Sequence, residues 1–262
     1  SPGAPSHAFP EKKFKVIKCK MSSFQYDSYK TVMNNHAKFD FEDILNLSND
    51  FFIGARMMSN VCFPNKKIGI RGFQSWSSQK TKLEKIERYS TKIHKFLKII
   101  KNVKGPNILY SNFRGYGGIE STITALKSNG YKNILEHGPG KKRYGVWSGE
   151  ESKKDKEYTR DIYNQPENVD GSKLHVMLLS PAGKEGLSLL RTSTLTILEP
   201  YWNSSRIDQI IGRGIRFCSH KDMPKDKRVV KVYLLLAVLP SSKKKSIDQY
   251  IYETMNSKNK LM

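Results

Sequence analysis

Short apolar segments alternate with amphipathic segments through the second half of the chain. Compact apolar runs bounded by Gly, Pro or Asn are typical of buried strands, whereas apolar residues spaced by three or four positions indicate helices. The pattern predicts strands at 107–113, 144–147, 174–179, 194–198 and 229–238, and helices at 119–128, 153–163, about 204–211 and 246–255. This alternation indicates βαβ units, so we expect an α/β fold with a parallel sheet.

The first third of the chain is less regular. Residues 14–20 alternate apolar and basic side chains as a strand does, and Ser22 and Ser23 can cap a helix that ends near residue 35. We interpret residues 36–101 as an irregular and helical insertion or an interdomain segment. Within it, apolar residues at helical spacing between lysines predict one basic amphipathic helix, or a pair, over 80–101.

The charge of the chain narrows the class of partner. There are 46 Lys and Arg residues against 24 Asp and Glu, a formal net charge of +22. Such an excess favours a polyanion such as nucleic acid, through phosphate contacts and counterion release. The alternative is a lysine-rich organism whose proteins are all basic, because charge alone is a weak motif.

Cysteine spacing and the length of the apolar runs argue against a zinc site and a membrane-spanning segment. Cys19, Cys62 and Cys218 lie far apart without a CxxC pair, so we expect no zinc site and a reducing compartment. The longest apolar run, 229–239, is interrupted by Lys231 and is shorter than the roughly 18–20 residues that span a membrane. We therefore expect no membrane partner.

The strongest chemical signal is Gln209-Ile-Ile-Gly-Arg213-Gly-Ile-Arg216, just after a predicted helix. Arginine is always charged, and its planar fork of donors suits phosphate. On one helical turn, two arginines three positions apart can face the same way. A basic helix end that contacts only solvent is the alternative interpretation for Arg213 and Arg216 taken alone.

A second signal precedes it in the chain. The strand ending near Leu179 is followed by Ser180-Pro-Ala-Gly183-Lys184-Glu-Gly186-Leu-Ser188. A glycine-rich turn after a strand exposes backbone N–H groups that can bind phosphate. An ordinary βα loop is the competing interpretation. The next strand leads through Glu199 and Pro200 to the arginine motif.

This order of motifs resembles the carboxyl-terminal, second RecA-like domain of superfamily 2 helicases. Residues 107–113 look like motif IV, 180–189 like motif V and 209–216 like motif VI, Q-x-x-G-R-x-x-R. Arg56-Met-Met-Ser-Asn60 and Tyr110-Ser-Asn-Phe113 are more narrowly similar to helicases of large cytoplasmic DNA viruses, including the poxvirus early transcription factor ATPase subunit and nucleoside triphosphatase I. The resemblance spans about residues 12–255.

The resemblance implies a role for each matched position. Arg213 and Arg216 would be arginine fingers that reach ATP, held with Mg²⁺ on the amino-terminal RecA-like domain, and Gln209 would couple nucleotide state to the cleft. The positions implied to contact nucleotide are Gly186, Leu187, Ser188 and Gly212. Those implied to contact nucleic acid are Ser111, Asn112, Gly183, Lys184 and Trp202. Ser188 departs from the acidic or amide residue of many family members, which puts its nucleotide contact in doubt.

The resemblance also suggests boundaries. Residues 1–10 look like a cloning scar or flexible lead-in, and residues 11–262 like one second RecA-like domain. The motif-bearing core would cover about 105–255, with the insertion at about 36–101. We expect a fragment of a longer protein, active in viral transcription or genome handling in the host cytoplasm.

Two motifs that hold ATP phosphates and metal do not occur. No G-x-x-x-x-G-K-[ST] is found, and Gly138-Pro-Gly140 lacks its spacing. No D-E-x-H-type acidic pair follows a strand. We therefore expect an ATP-dependent helicase or translocase as the parent protein and no ATP hydrolysis by this chain alone. The alternatives are a non-catalytic helicase-like module that binds DNA or a protein subunit, and a nucleotide-independent RNA-binding domain.

Overall fold

The computed structural model describes residues 9–34, 52–181, 187–214, 219–241 and 243–260. Its strands are β1 (Glu11–Lys20), β2 (Asn107–Tyr110), β3 (Lys132–Asn133), β4 (Arg143–Trp147), β5 (Val176–Leu179), β6 (Thr194–Ile197) and β7 (Val229–Val238). Its helices are α1 (Ser23–Asn34), α2 (Ile53–Asn60), α3 (Gly69–Phe73), α4 (Leu83–Ile86), α5 (Thr91–Lys101), α6 (Ile119–Ser128), α7 (Ile134–His137), α8 (Lys153–Asn164), α9 (Ser204–Gly214) and α10 (Ile247–Lys260).

The seven strands form one sheet in the order β1-β7-β6-β2-β5-β4-β3. Every neighbouring pair is parallel. Strand β2 lies near the centre, where Leu109 is in register with Leu178 of β5 and Thr196 of β6. The prediction of an α/β fold with a parallel sheet flanked by helices is confirmed.

The sheet is buried on both faces. Ile108, Met177 and Leu195 belong to one apolar cluster with residues of α8 and α9, whereas Leu109 and Leu178 belong to a second cluster with residues of α5 and α6. Successive strand residues point to opposite faces, so adjacent positions fill different layers. This explains why the central strands are continuous apolar runs.

Most predicted elements are present with small changes of boundary. Helix α6 and strand β7 span the predicted residues, and α1 begins beside Ser22, whose hydroxyl accepts a hydrogen bond from the Gln25 amide. Asn203 caps α9, since its Oδ1 accepts a hydrogen bond from the Ser205 backbone amide at 2.9 Å. Strand β3 and helix α7 were not predicted because two and four residues are too few for a periodic signal.

The segment interpreted as an insertion contributes to the core. Its helices over 80–101 are the predicted pair, α4 and α5, and Ile93, Phe96 and Leu97 of α5 pack into the second cluster. Helix α2 buries Ala55 and Met58 in a third cluster. The boundaries of the insertion remain a prediction. Of the helices in the described residues, none is long and apolar enough to cross a membrane.

Two histidines, His175 and His220, are held by hydrogen bonds inside the fold. His175 Nε2 donates to the Val103 carbonyl at 2.9 Å, and its Nδ1 accepts from the Tyr131 hydroxyl at 2.6 Å. His220 is similarly held, between the Thr192 carbonyl and the Ser219 hydroxyl. Burial lowers the pKa of both histidines below the usual value. These hydrogen bonds fix both rings within the fold.

These histidines predict a loss of stability in acid. A folded-state pKa below the unfolded value means that the unfolded state binds more protons as the pH falls, so their contribution is complete above about pH 6.5 and is lost below it. We expect the thermal midpoint to fall less between about pH 7.5 and 5.5 in a His175→Gln, His220→Gln variant than in the original chain. A control with the exposed His137→Gln should retain the original pH dependence. An identical pH dependence in the double variant would contradict the assignment.

Candidate functional site

The candidate site lies where β2 and β6 end. These strands are neighbours and parallel, so the loops that follow them meet at one edge of the sheet. The loop after β2 carries Ser111, Asn112 and Phe113, and the loop after β6 carries Glu199 and Tyr201. Helix α9, with the arginine motif, begins a few residues further on. The sheet topology therefore brings the loop of the predicted motif IV to the same edge as the start of α9, whose second half carries the predicted motif VI.

Glu199 joins the two loops. Its side chain is fully enclosed, and its carboxylate accepts hydrogen bonds from the Ser111 hydroxyl at 3.0 Å and the Asn60 amide at 2.9 Å. The Asn112 backbone N–H and side-chain amide donate to the same carboxylate. Burial raises the pKa of Glu199, while the cations Lys92 and Arg56 and these donors oppose that rise. The carboxylate thereby fixes the conformation of the loop after β2.

A buried ion pair between Lys92 and Asp248 holds the Asn60 side chain in place. Lys92 Nζ donates to Asn60 Oδ1 at 2.8 Å and lies 2.6 Å from Asp248 Oδ2. Both charged side chains are almost completely excluded from solvent. Asp248 Oδ2 also accepts from the Ala237 amide at 2.8 Å. A continuous polar network therefore connects α10 and β7, through α5 and α2, to the site edge.

Two aromatic rings and two guanidinium groups contact one another next to this network, at the loops after β2 and β6. The Arg56 guanidinium lies 4.9 Å from the centre of the Phe113 ring and 5.7 Å from that of Tyr201. Arg206 lies 4.2 Å from the Tyr201 ring centre, and its Nη1 donates to Asn112 Oδ1 at 3.2 Å. We call Phe113, Arg56, Tyr201 and Arg206 the arginine–aromatic stack. It places two cations at the edge that carries the motifs.

Helix α9 is oriented by its apolar face. Ile207, Ile210 and Ile211 are buried in the first cluster, whereas Gln209 and Gly212 are exposed. Open space surrounds the position of a Cβ at Gly212. The helix continues to Gly214, so Arg213 lies in its last turn and not after its end, as the sequence predicted. The Arg213 side chain and all of Arg216 lie outside the described residues.

Half of the predicted motif V, residues 182–186, also lies outside them. Gly183, Lys184 and Gly186 are not described, but the residues that follow are. The Leu187 side chain is 4% exposed and packs in the first apolar cluster, so the nucleotide contact predicted for this residue would be made by its backbone and stays a prediction. The Asn164 amide donates to the Ser188 carbonyl at 2.8 Å, which anchors the strand end of this loop. Ser188 itself is half-buried.

The predicted nucleic-acid contacts separate into two groups. Ser111 has no exposed surface, and its hydroxyl donates to Glu199, so its predicted contact with nucleic acid would have to come from the backbone or from another conformation and stays a prediction. Asn112 is half-buried at the edge. Trp202 is also half-buried and packs against the third apolar cluster, while its buried indole N–H has no acceptor among the residues that the structure describes. The role of Asn112 and Trp202 in nucleic-acid binding stays a prediction.

Several residues of the site were missed by the sequence. Arg56 and Asn60 stood in a quoted motif but received no role, and Lys92 resembled the other lysines of an amphipathic helix. Glu199 was noted only as the residue before a proline. The signal available in the sequence was a carboxylate directly after an apolar strand. Burial is expected at that position, and a charged side chain is rarely buried without partners.

No protein-family model matches the chain. A protein of Acanthamoeba polyphaga mimivirus named as an ATP-dependent RNA helicase is 42% identical over 250 residues, which cover 94% of this chain and 44% of that protein. Nucleoside triphosphatase I of Melanoplus sanguinipes entomopoxvirus is 34% identical over 207 residues, which cover 77% of this chain and 30% of the relative. The chain thus spans less than half the length of these relatives.

Solved structures show the same fold. The C-terminal part of the Fun30 ATPase domain matches with a TM-score of 0.63 and 13% identity, covering 94% of this chain and 90% of that one. The Sulfolobus solfataricus SWI2/SNF2 ATPase core in complex with dsDNA matches with a TM-score of 0.55 and 15% identity, covering 87% of this chain and 42% of that one. At these identities the likeness concerns the fold alone.

The buried ion pair generates a stability prediction. Removing one partner leaves the other charge buried without compensation, which costs about 3–5 kcal/mol, whereas replacing both by apolar residues avoids that penalty. We expect Asp248→Ala to lower the free energy of unfolding by about this amount, and Lys92→Met, Asp248→Leu to lower it less, because only the hydrogen bonds to Asn60 Oδ1 and from the Ala237 N–H are then lost. Urea unfolding of the three proteins measures the difference. Equal losses in the single and double variants would show that the pair is not the source.

Proposed function

We propose that this chain is the second motor domain of an ATP-dependent nucleic-acid helicase or translocase. The support is its motif order, its sequence relatives and its fold, which resemble those of the carboxyl-terminal, second RecA-like domain of superfamily 2 helicases. It would close on a first RecA-like domain that holds ATP and Mg²⁺. Closure would bring Arg213 and Arg216 to the γ-phosphate, and reopening would move the domain along a strand.

The observation that carries this proposal is the geometry of α9. Its buried isoleucine face fixes the rotation of the helix, so that Gln209 and Gly212 are on the exposed side. Arg213 is four positions after Gln209, and residues with this spacing share a helix face. The backbone position of Arg213 is therefore on the exposed side, as an arginine finger requires. Such a finger is worth about 10³–10⁵ in rate.

ATP would be bound mainly outside this chain. The glycine-rich phosphate loop and the acidic metal-binding pair are not found in its sequence. Gly186, Ser188 and Gly212 would add contacts from this side of the cleft. The lengths of the relatives, which are more than twice the matched region, are consistent with a further RecA-like domain in the parent protein.

Nucleic acid would lie along the edge formed by the loops after β2 and β6. The support is the net charge of +22 together with the cations Arg56 and Arg206 at this edge. Asn112, Gly183, Lys184 and Trp202 remain the proposed contacts from the sequence. The setting proposed from the sequence is viral transcription or genome handling in the host cytoplasm, and its support is that the relatives are viral proteins. DNA and RNA both carry phosphodiester groups, so both polymers are compatible with a surface that contacts phosphates.

The arginine fingers are tested in the full-length protein. An Arg213→Ala, Arg216→Ala variant should lose about a thousandfold or more in kcat for ATP hydrolysis, because charge on the transferring phosphoryl group is no longer stabilised. Nucleotide binding should change far less. A control variant, Arg88→Ala, Arg160→Ala, removes the same charge outside α9 and should keep the original kcat. Undiminished hydrolysis by the finger variant would show that the assignment of Arg213 and Arg216 as arginine fingers is wrong.

The chain alone is expected to bind nucleic acid without hydrolysing ATP. Release of phosphate from Mg-ATP by the purified chain should stay at the buffer rate, with and without an oligonucleotide, because no residue set in the chain matches the phosphate loop. A phosphate-release assay with the full-length protein as the positive control measures this. Turnover by the chain alone would show that it contains a complete ATP site.

A further inference from the structure

A cavity of about 760 Å³ opens at the amino ends of the central strands. Its lining includes residues from the segments that precede β2, β4 and β5, among them Lys104, Lys142 and Ser172. Because these strands are parallel, the segments before them lie at the edge of the sheet opposite the loops that follow β2 and β6. The volume is within the range of about 300–1,000 Å³ that is typical of ligand pockets. The cavity is therefore separate from the candidate functional site.

The inner lining of this cavity is apolar. Half-buried Leu83 and Val103 border it, next to Leu97 and Tyr131, which are buried in the second apolar cluster. Hydrogen bonds hold this lining in place, because His175 donates to the Val103 carbonyl at 2.9 Å and accepts from the Tyr131 hydroxyl at 2.6 Å. A pocket that is already ordered can receive an apolar side chain without paying for its own ordering.

Lysines border the cavity on two sides. Lys101 is the last residue of α5 and Lys104 follows before β2, whereas Lys141 and Lys142 come directly before β4. Only β5 separates β2 from β4, so the two pairs of lysines belong to strands about 10 Å apart. All four lysines are exposed, and Lys142 Nζ donates to the Asn129 carbonyl at 3.4 Å. Two pairs of cations therefore border one apolar lining.

Most of this positive charge is not neutralised within the described part of the chain. There, the side chains of Lys101, Lys104 and Lys141 form no ion pair. The dipole of α5 explains a cation at Lys101, but Lys104 and Lys141 lie outside the helices. Two carboxylates, Glu84 and Asp170, also line the cavity, and Asp170 accepts a hydrogen bond at 3.0 Å from a backbone N–H of its own loop. The four lysines leave an excess of positive charge.

We propose that this cavity is a docking site for an acidic segment of a partner protein that carries an apolar or aromatic anchor residue. The anchor packs against Leu83 and Val103, and carboxylates on either side of it pair with the two pairs of lysines. An apolar centre with a rim of complementary charge is the usual arrangement of a protein interface. The inference goes beyond the proposed function, which uses the opposite edge of the sheet.

Nucleic acid matches the cavity less well than such a segment. A phosphodiester backbone pairs with lysines but leaves the apolar lining in contact with water. Tyr131 is 7% exposed and its ring is stacked on His175, so it offers no open face on which a base could stack. A protein segment uses both features, because acidic and apolar side chains can follow one another along it. The combination of lining and rim thus favours a protein.

A designed peptide tests the proposal on the purified chain. The probe is a short fluorescein-labelled peptide in which Phe and Leu residues are separated by pairs of Glu, and a comparison peptide has Ser in place of Phe and Leu. Fluorescence anisotropy at several salt concentrations measures the affinity of each. We expect the probe to bind about tenfold or more tightly than the Ser peptide, since the charge is equal and only the probe can bury apolar side chains.

Two charge-reversal variants separate the cavity from the general basic charge of the chain. Lys104→Glu, Lys141→Glu changes one lysine on each side of the cavity. The control, Lys12→Glu, Lys225→Glu, makes the same change of charge before or at the start of β7 and β1, at the other end of the sheet. All four positions are exposed, and thermal unfolding confirms that both variants fold. We expect the first variant to bind the probe about tenfold more weakly than the control.

A third variant tests the apolar lining without changing the charge. Val103→Trp fills part of the cavity, so it should weaken binding of the probe and leave binding of the Ser peptide unchanged. Equal affinity of the two charge-reversal variants for the probe would overturn the proposal, and so would equal affinity of the original chain for the two peptides. These outcomes do not depend on whether Val103→Trp folds.

Single-stranded DNA serves as the competing ligand in the same assay. The proposal predicts that Lys104→Glu, Lys141→Glu and its control bind the oligonucleotide equally. If the cavity variant loses oligonucleotide binding beyond the control and keeps its affinity for the probe, the cavity binds nucleic acid and the proposal is overturned. None of these measurements uses ATP hydrolysis, so their outcome is independent of the test of the arginine fingers.

Discussion

The burial of the Glu199 carboxylate is the constraint on which the site depends. A carboxylate in an apolar interior is stable only when hydrogen bonds and opposite charge replace its hydration. Here the donors come from Asn60 of α2 and from Ser111 and Asn112 after β2, and the opposite charge comes from Lys92 and Arg56. Each donor must therefore be held in place by its own element. The motif loop after β2 is positioned by this requirement.

The Glu199 network has a fully buried part and a part at the edge of the sheet. Below Glu199, Lys92 and Asp248 connect the carboxylate to α5 and α10, far from any exposed motif. Above it, Arg56 and Arg206 contact the half-buried ring of Tyr201 at the edge of the sheet. Fixed dipoles and charges at such an edge need little rearrangement when an anion arrives, which is how preorganised sites stabilise charge. The proposed motor would act through this surface.

The sequence was sufficient for the fold and for the order of motifs. Apolar runs such as residues 229–238 and the Gly-Gly start of α6 are local signals, and the structure confirms them. Side-chain pairing across the fold is not a local property. Asn60 and Glu199 are 139 residues apart, and Lys92 and Asp248 come from α5 and α10, so no spacing rule joins them. Ser111 and Leu187 were assigned to ligands by resemblance of their motifs, and the burial of their side chains is a property of the fold that the motifs do not reveal.

The central claim is that this domain belongs to a motor whose ATP hydrolysis is coupled to nucleic acid. The most direct measurement is the ATPase rate of the full-length protein with no nucleic acid, with DNA and with RNA at matched salt concentration. The account predicts a rate that rises severalfold or more with at least one of the two polymers and declines again as salt displaces it. A rate that is indifferent to both polymers, or no hydrolysis at all, would contradict it.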